Sequence, residues 1–127
     1  MARIGQRDTQ PELAVRRLLH GLGYRFRLHR RDLPGRPDII LPRYRIAILV
    51  HGCFWHRHRR CQFAYVPKSR IEFWTRKFQQ NIDRDKRVSR ELRARGWKVL
   101  TVWECQTFDT GALDRRLRRL LAIRRSH

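Results

Sequence analysis

Residues 46–50, IAILV, are five consecutive apolar positions in a chain one-third of whose residues are charged. An apolar run that short, with no polar alternation, is consistent with a central strand covered on both faces. Such a strand requires apolar helix faces on both sides of its sheet, and the neighbouring sequence supplies them. TQPELAVRRLL opens with a capping-box pattern, Thr9 and Glu12, with Pro11 in the first turn. Val15, Leu18, Leu19 and Leu22 then mark one helical stripe, which Gly21 and Gly23 end. A second capping box, Ser69 with Glu72, predicts a long helix running to about Arg95 and stopped by Gly96. Leu113, Leu117, Leu120 and Leu121 mark a basic closing helix.

The remaining strands are shorter. YRFRLH alternates Tyr24, Phe26 and Leu28 with polar residues, as a half-buried strand would. LPGRP and PRYR read as turns around a short strand DIIL, and KVLTVWEC as a last strand. The order helix, three strands, long helix, strand, helix predicts an α/β fold with a mixed central sheet flanked by helices. No repeat, low-complexity segment or linker divides the chain, so residues 1–127 are expected to form a single domain. No run of eighteen apolar residues is present to span a membrane, and MARIGQRDTQPE lacks the apolar core of a secretory signal.

The densest chemistry follows directly on the central strand. HGCFWHRHRRC, residues 51–61, holds three histidines, two cysteines, a phenylalanine and a tryptophan. Three cysteines in the whole chain do not suit a disulfide framework, and with histidines beside them they read as metal ligands in a reducing cytoplasm. The candidates are His51, Cys53, His56, His58, Cys61 and the distant Cys105, more than the four a structural zinc takes. Some of these histidines should therefore serve another task. Phe54 and Trp55 lie inside the basic loop rather than on a strand stripe, which suits a wedge between base steps; core packing is the plainer reading, strongest for Trp74. Trp97 and Trp103 are assigned to the core.

Three carboxylates stand out. Asp38 follows Pro37 at the start of a strand, where it could hold a hard cation or simply cap its own turn. Asp85 falls near the middle of the stripe Trp74, Phe78, Ile82, Val88 and Leu92, so it must be paired, metal-bound or protonated. Glu12 reads first as the capping-box partner, although a carboxylate at a helix N-terminus can also face a neighbouring site.

The formal net charge is +20, and lysine occupies only positions 68, 77, 86 and 98 among the 31 basic residues. Guanidinium groups bind phosphate bidentately and stack on bases, so the expected partner is a nucleic acid. Charge alone leaves DNA or RNA, and enzyme or passive binder, open.

LPGRPDII, HGCFWHRH, EFWTRKFQQNIDRDKR and GWKVLTVWEC together resemble the very short patch repair endonucleases, from about Arg7 to Cys105. The resemblance implies a fold shared with type II restriction endonucleases. It implies a Mg²⁺-dependent nick in double-stranded DNA, 5′ of the thymine in a T:G mismatch left by deaminated 5-methylcytosine. It further implies that Asp38 is the central Mg²⁺ ligand, and that His56 acts as general base or proton shuttle with Glu12, Asp85 and His51 around it. Structural zinc would be held by Cys53, His58, Cys61 and Cys105, with Phe54, Trp55 and Trp74 intercalating beside the mismatch. The acidic-x-lysine pair of restriction enzymes is absent after Asp38, and the resemblance implies that the Val50 main-chain carbonyl supplements the metal site. A bacterial-type protein working at the nucleoid is implied, monomeric because it makes one scission, with mismatch-repair proteins as candidate partners. Two alternatives stay open: a nuclease of the same fold with another target, such as other mismatches or a restriction or mobile-element system, and a non-catalytic zinc-containing DNA-binding module.

Overall fold

A computed structural model describes residues 9–125; Arg7, near the start of the resemblance, lies outside them. The helices are α1 (Gln10–Gly21), α2 (Ile71–Ala94) and α3 (Thr110–Arg125), and the strands β1 (Arg27–Leu28), β2 (Ile39–Leu41), β3 (Ile46–His51) and β4 (Lys98–Trp103). The sheet order is β1-β2-β3-β4, antiparallel as far as β3, with β3 and β4 parallel through the α2 crossover. The mixed sheet flanked by helices is the fold expected.

Pleating divides the strand residues between two cores. Ile39, Leu41, Ile46, Ile48, Leu100 and Val102 face one side, where Val15 and Leu19 of α1 and Leu113, Leu117 and Leu121 of α3 cover them. Ile40, Ala47, Leu49 and Val99 face the other, against Val88 and Leu92 of α2 and Trp97. The apolar run thus has no polar alternation because both of its faces are buried. Each fully buried Leu or Ile contributes about 1.5–3 kcal/mol from leaving water, so this sheet is a stiff platform.

Local chemistry sets how the elements meet. Gly35, at φ +72°, brings the LPGRP turn onto α2 so closely that an added Cβ would lie 2.5 Å from a Val88 methyl. Gly96, at φ +89°, ends α2 as predicted. The predicted start of α2 needs correction: Arg70 is the N-cap, in the left-handed region at φ 56°, with no side-chain cap bond. Helical geometry begins too late for the Ser69 hydroxyl to reach the first-turn N–H groups. The strand expected over YRFRLH is also shorter, and Leu28 is exposed while Tyr24 and Phe26 pack against the core. Among the described residues no helix is long and apolar enough to cross a membrane.

Candidate active site

Strand register gathers the polar residues at one end of the sheet. β2 runs antiparallel to β3, so the residue before β2 lies beside the end of β3: the Val50 N–H donates to Asp38 Oδ2 at 2.8 Å. β1 is antiparallel to β2, which brings His29 alongside Asp38, its N–H donating to the Asp38 carbonyl at 3.1 Å. β4 is parallel to β3 and pairs Trp103 with His51. One edge therefore presents His29, Asp38, His51 and Trp103.

The Thr9 hydroxyl caps α1 by accepting from the Glu12 N–H at 3.2 Å, as expected. The other half of the capping box is not made. The buried Glu12 carboxylate turns instead to Arg16, one turn along the helix, and to His29 Nε2 at 2.9 Å. Glu12, His29 and Asp38 offer ligand atoms that all lie within 4.8 Å of one another. His29 escapes the sequence reading because it stands at the end of a two-residue strand, on no apolar stripe. The only trace of it is the pairing of LH with PD across the LPGR turn, which requires knowing the register.

His51, His56 and Asp85 form a second group. His56 Nδ1 lies 2.7 Å from Asp85 Oδ2, and the His56 ring stacks on His51 with centroids 3.9 Å apart. A carboxylate only accepts, so Nδ1 carries the proton of this bond, and in the neutral ring Nε2 is the nitrogen that keeps a lone pair. Asp85 is thus the paired carboxylate its place on the stripe demanded, and its partner is a histidine rather than an arginine.

Burial sets the charge states here. Desolvation raises the Asp38 carboxyl to about 6, against the Val50 N–H bond, which favours its ionised form. Burial, with His56 as a second cause, lowers His51 to about 4 and keeps it neutral at pH 7. A buried carboxylate beside a glutamate is a chemical fit for a divalent cation, which compensates both charges.

The third group is Cys53, His58, Cys61 and Cys105, again within 4.8 Å of one another. The loop turns back on itself through the His58 N–H to the Cys53 carbonyl at 3.1 Å, while Glu104 Oε1 accepts from the Cys53 N–H at 3.3 Å. His58 Nδ1 lies 3.6 Å from Cys53 Sγ and 3.4 Å from Cys105 Sγ. Such separations suit the edges of a tetrahedron with bonds of about 2.0–2.3 Å, and three sulfurs plus one nitrogen are a structural zinc donor set. Burial pushes the Cys53 thiol up to about 12, so a thiolate there needs a cation beside it. Cys105 lies in the short helical turn Glu104–Thr107 after β4, not on the strand.

Trp103, expected in the core, is instead half-buried between two groups. Its ring stacks on His58 at 4.3 Å and meets His51 edge-on at 5.3 Å, linking the thiol cluster to the histidine pair. Trp97 is buried as expected.

Phe54, Trp55 and Trp74 do come together. Phe54 is the hub, with ring centroids 5.1 Å from Trp55, 5.6 Å from Trp74 and 5.3 Å from Phe78, while Trp55 is the exposed member. Arg57, in the left-handed region at φ 53°, fixes this cluster. Its guanidinium lies 3.8 Å from the Phe78 ring centroid and donates to the carbonyls of Phe54, Ala64 and Tyr65. In the sequence it is one arginine among many, marked only by its charge.

The family described as DNA mismatch endonuclease Vsr matches residues 1–62 of the chain. The Type II nicking enzyme V.XorIIP of Xanthomonas oryzae is 51% identical over 121 residues, which cover 95% of this chain and 88% of that protein. The DNA mismatch endonuclease Vsr of Escherichia coli is 47% identical over 105 residues, covering 83% and 67%. The fold is similar to the homing endonuclease I-Bth0305I catalytic domain, with a TM-score of 0.65 and 20% identity over 94% of this chain and all of that one. With half its residues shared along nearly its whole length, and the quoted motifs folded into three polar groups at one sheet edge, the chain belongs to the Vsr family of DNA endonucleases.

Proposed function

We propose that residues 1–127 act as one Mg²⁺-dependent mismatch endonuclease domain, nicking one strand 5′ of the thymine in a T:G mismatch. The observation that carries this reading is the convergence of Asp38, Glu12 and the His56–Asp85 pair at the end of β3, beside an exposed aromatic cluster. A passive DNA binder has no use for such carboxylates. A bound Mg²⁺, held by Asp38 and the Val50 carbonyl, would supply charge stabilisation at the phosphate oxygens. Asp85 holds the His56 ring and its tautomer, so that Nε2 takes the proton from the attacking water. His51, neutral and stacked on His56, fixes that ring's plane, and Glu12 would face the cation from α1.

Zinc held by Cys53, His58, Cys61 and Cys105 would staple the loop that carries His56. Trp55 and Trp74, backed by Phe54, would enter the duplex; opening a step costs a few kcal/mol, and less where the pair is mismatched. The substrate is then double-stranded DNA gripped through phosphate by arginines, acted on by a monomer at the bacterial nucleoid. The reading is tested by nicking rates on duplexes carrying each possible mismatch, with Mg²⁺ and with chelator. Preference for T:G that vanishes with chelator supports it; a flat profile across mismatched and matched duplexes contradicts mismatch direction.

A further inference from the structure

The histidine pair, the thiol cluster and the aromatic wedge all have assigned tasks, but His29 has none. Its position is unusual in three respects. Its backbone adopts φ 47°, in the left-handed region that a residue with a Cβ seldom occupies without cause. It is tied to both acidic residues of the cation site, to the Asp38 main-chain carbonyl through its own N–H and to the Glu12 carboxylate through Nε2. The side chain is only 16% exposed, so the contact with Glu12 is not an incidental surface pairing.

We propose that His29 is a further protein ligand, beside Glu12, at the Asp38 cation site, giving a mixed nitrogen and oxygen donor set that favours Mn²⁺-class cations over Mg²⁺. The inference rests on the proposal that this site takes a divalent cation. The separation fits: two adjacent ligands of an octahedral ion with bonds of about 2.1 Å stand about 3.0 Å apart, and Nε2 lies 2.9 Å from Glu12 Oε2. All three residues offer atoms within 4.8 Å of one another, which also admits ligands on opposite sides of one ion. Arg16 anchors the Glu12 carboxylate from the next turn of α1, so the donor set is held in place. The cation replaces the proton shared by Nε2 and Oε2, which moves to Nδ1 or to solvent. An imidazole nitrogen binds Mn²⁺ and later first-row ions better than Mg²⁺, which prefers oxygen and retains its waters.

The test uses Mn²⁺ alone as the probe, on the full chain without DNA. Pulsed paramagnetic resonance reads directly whether a ¹⁴N nucleus is coupled to the bound ion. The expected result is nitrogen coupling in the wild type, its loss in His29→Asn, and its retention in His56→Asn. Asparagine tolerates the left-handed backbone, so circular dichroism of His29→Asn should match the wild type. Titration should show Mn²⁺ affinity about tenfold weaker in His29→Asn, with Mg²⁺ affinity changed less. Mn²⁺ bound with no ¹⁴N coupling, while Asp38→Asn abolishes that binding, overturns the assignment of His29 but leaves the cation site standing. Coupling lost in His56→Asn and kept in His29→Asn assigns the nitrogen to the wrong histidine. No Mn²⁺ binding at all overturns His29 and the cation site together.

Discussion

His56 Nδ1 and Asp85 Oδ2 lie 2.7 Å apart although 29 residues separate them in the chain. The bond joins the loop after β3 to the middle of α2, and it fixes which imidazole nitrogen keeps its lone pair. Asp85→Asn keeps the shape but can present its amide to Nδ1, favouring the opposite tautomer. Single-turnover nicking should fall by about 10²–10⁴-fold, the range of general acid–base catalysis, with DNA affinity within a factor of a few. Rapid-quench kinetics and a binding titration on the same duplex check this, and an unchanged rate would remove Asp85 from the mechanism.

Asp38 links activity to stability. Its folded carboxyl titrates near 6 against an ordinary value of 3.8, chiefly through burial. The folded state therefore binds this proton more tightly than the unfolded chain. Above pH 6 the ionised group opposes folding, and that penalty is lifted as pH falls from 6 towards 4. Asp38→Asn, whose amide oxygen can still accept from the Val50 N–H, should abolish nicking yet stabilise the metal-free protein. The gain, on the order of 3 kcal/mol well above pH 6, should shrink towards pH 4. Thermal unfolding of both proteins across pH 4–8 measures it. In the wild type, nicking should fall through pH 6, and more Mg²⁺ should move that fall to lower pH because cation and proton compete.

The thiol cluster should hold one zinc per chain. Cys105→Ala should lose it and with it several kcal/mol of stability, since such metal binding is folding free energy. Elemental analysis and thermal unfolding report both. Trp103, stacked on His58, should change its fluorescence when zinc is stripped. Trp103→Leu should retain zinc while slowing nicking, because His51 loses its edge-on support.

Phe54 and Trp55 should separate in their effects. Trp55 is exposed, so Trp55→Ala should leave stability almost unchanged and lower the mismatched-to-matched nicking ratio by about 10–100-fold, the worth of one stacking partner. Phe54→Ala should instead destabilise the fold by about 3 kcal/mol or more, because Phe54 is the hub of the cluster. Equal melting temperatures for the two variants would contradict this division.

The legible parts of this protein are those that local pattern determines. IAILV announces a doubly covered strand, and the stripes of α1, α2 and α3 announce what covers it. The thiol cluster is legible in part, because Cys53, His58 and Cys61 crowd one short loop; residue type alone leaves six candidates, and the resemblance singles out these three with the distant Cys105. Glu12 was legible only in part: its pattern predicts a cap, and Thr9 does cap, but the carboxylate goes to His29 and Arg16. That partnership depends on strand register, which residue pattern does not encode across two turns. Trp103 was misplaced for a related reason. Alternation along β4 points it to one face, but only the β3–β4 pairing sets it between His51 and His58. Arg57 looked like one cation among many because its three carbonyl acceptors belong to a loop without periodicity.

A cation-dependent nick directed by a mismatch is read out on an end-labelled duplex with one T:G mismatch beside its matched counterpart, both with Mg²⁺. One cut is expected, in the thymine-bearing strand on the 5′ side of the mismatched thymine, with the matched duplex left intact. Equal cutting of both duplexes, or no cutting of either by zinc-loaded protein that binds them, would contradict it.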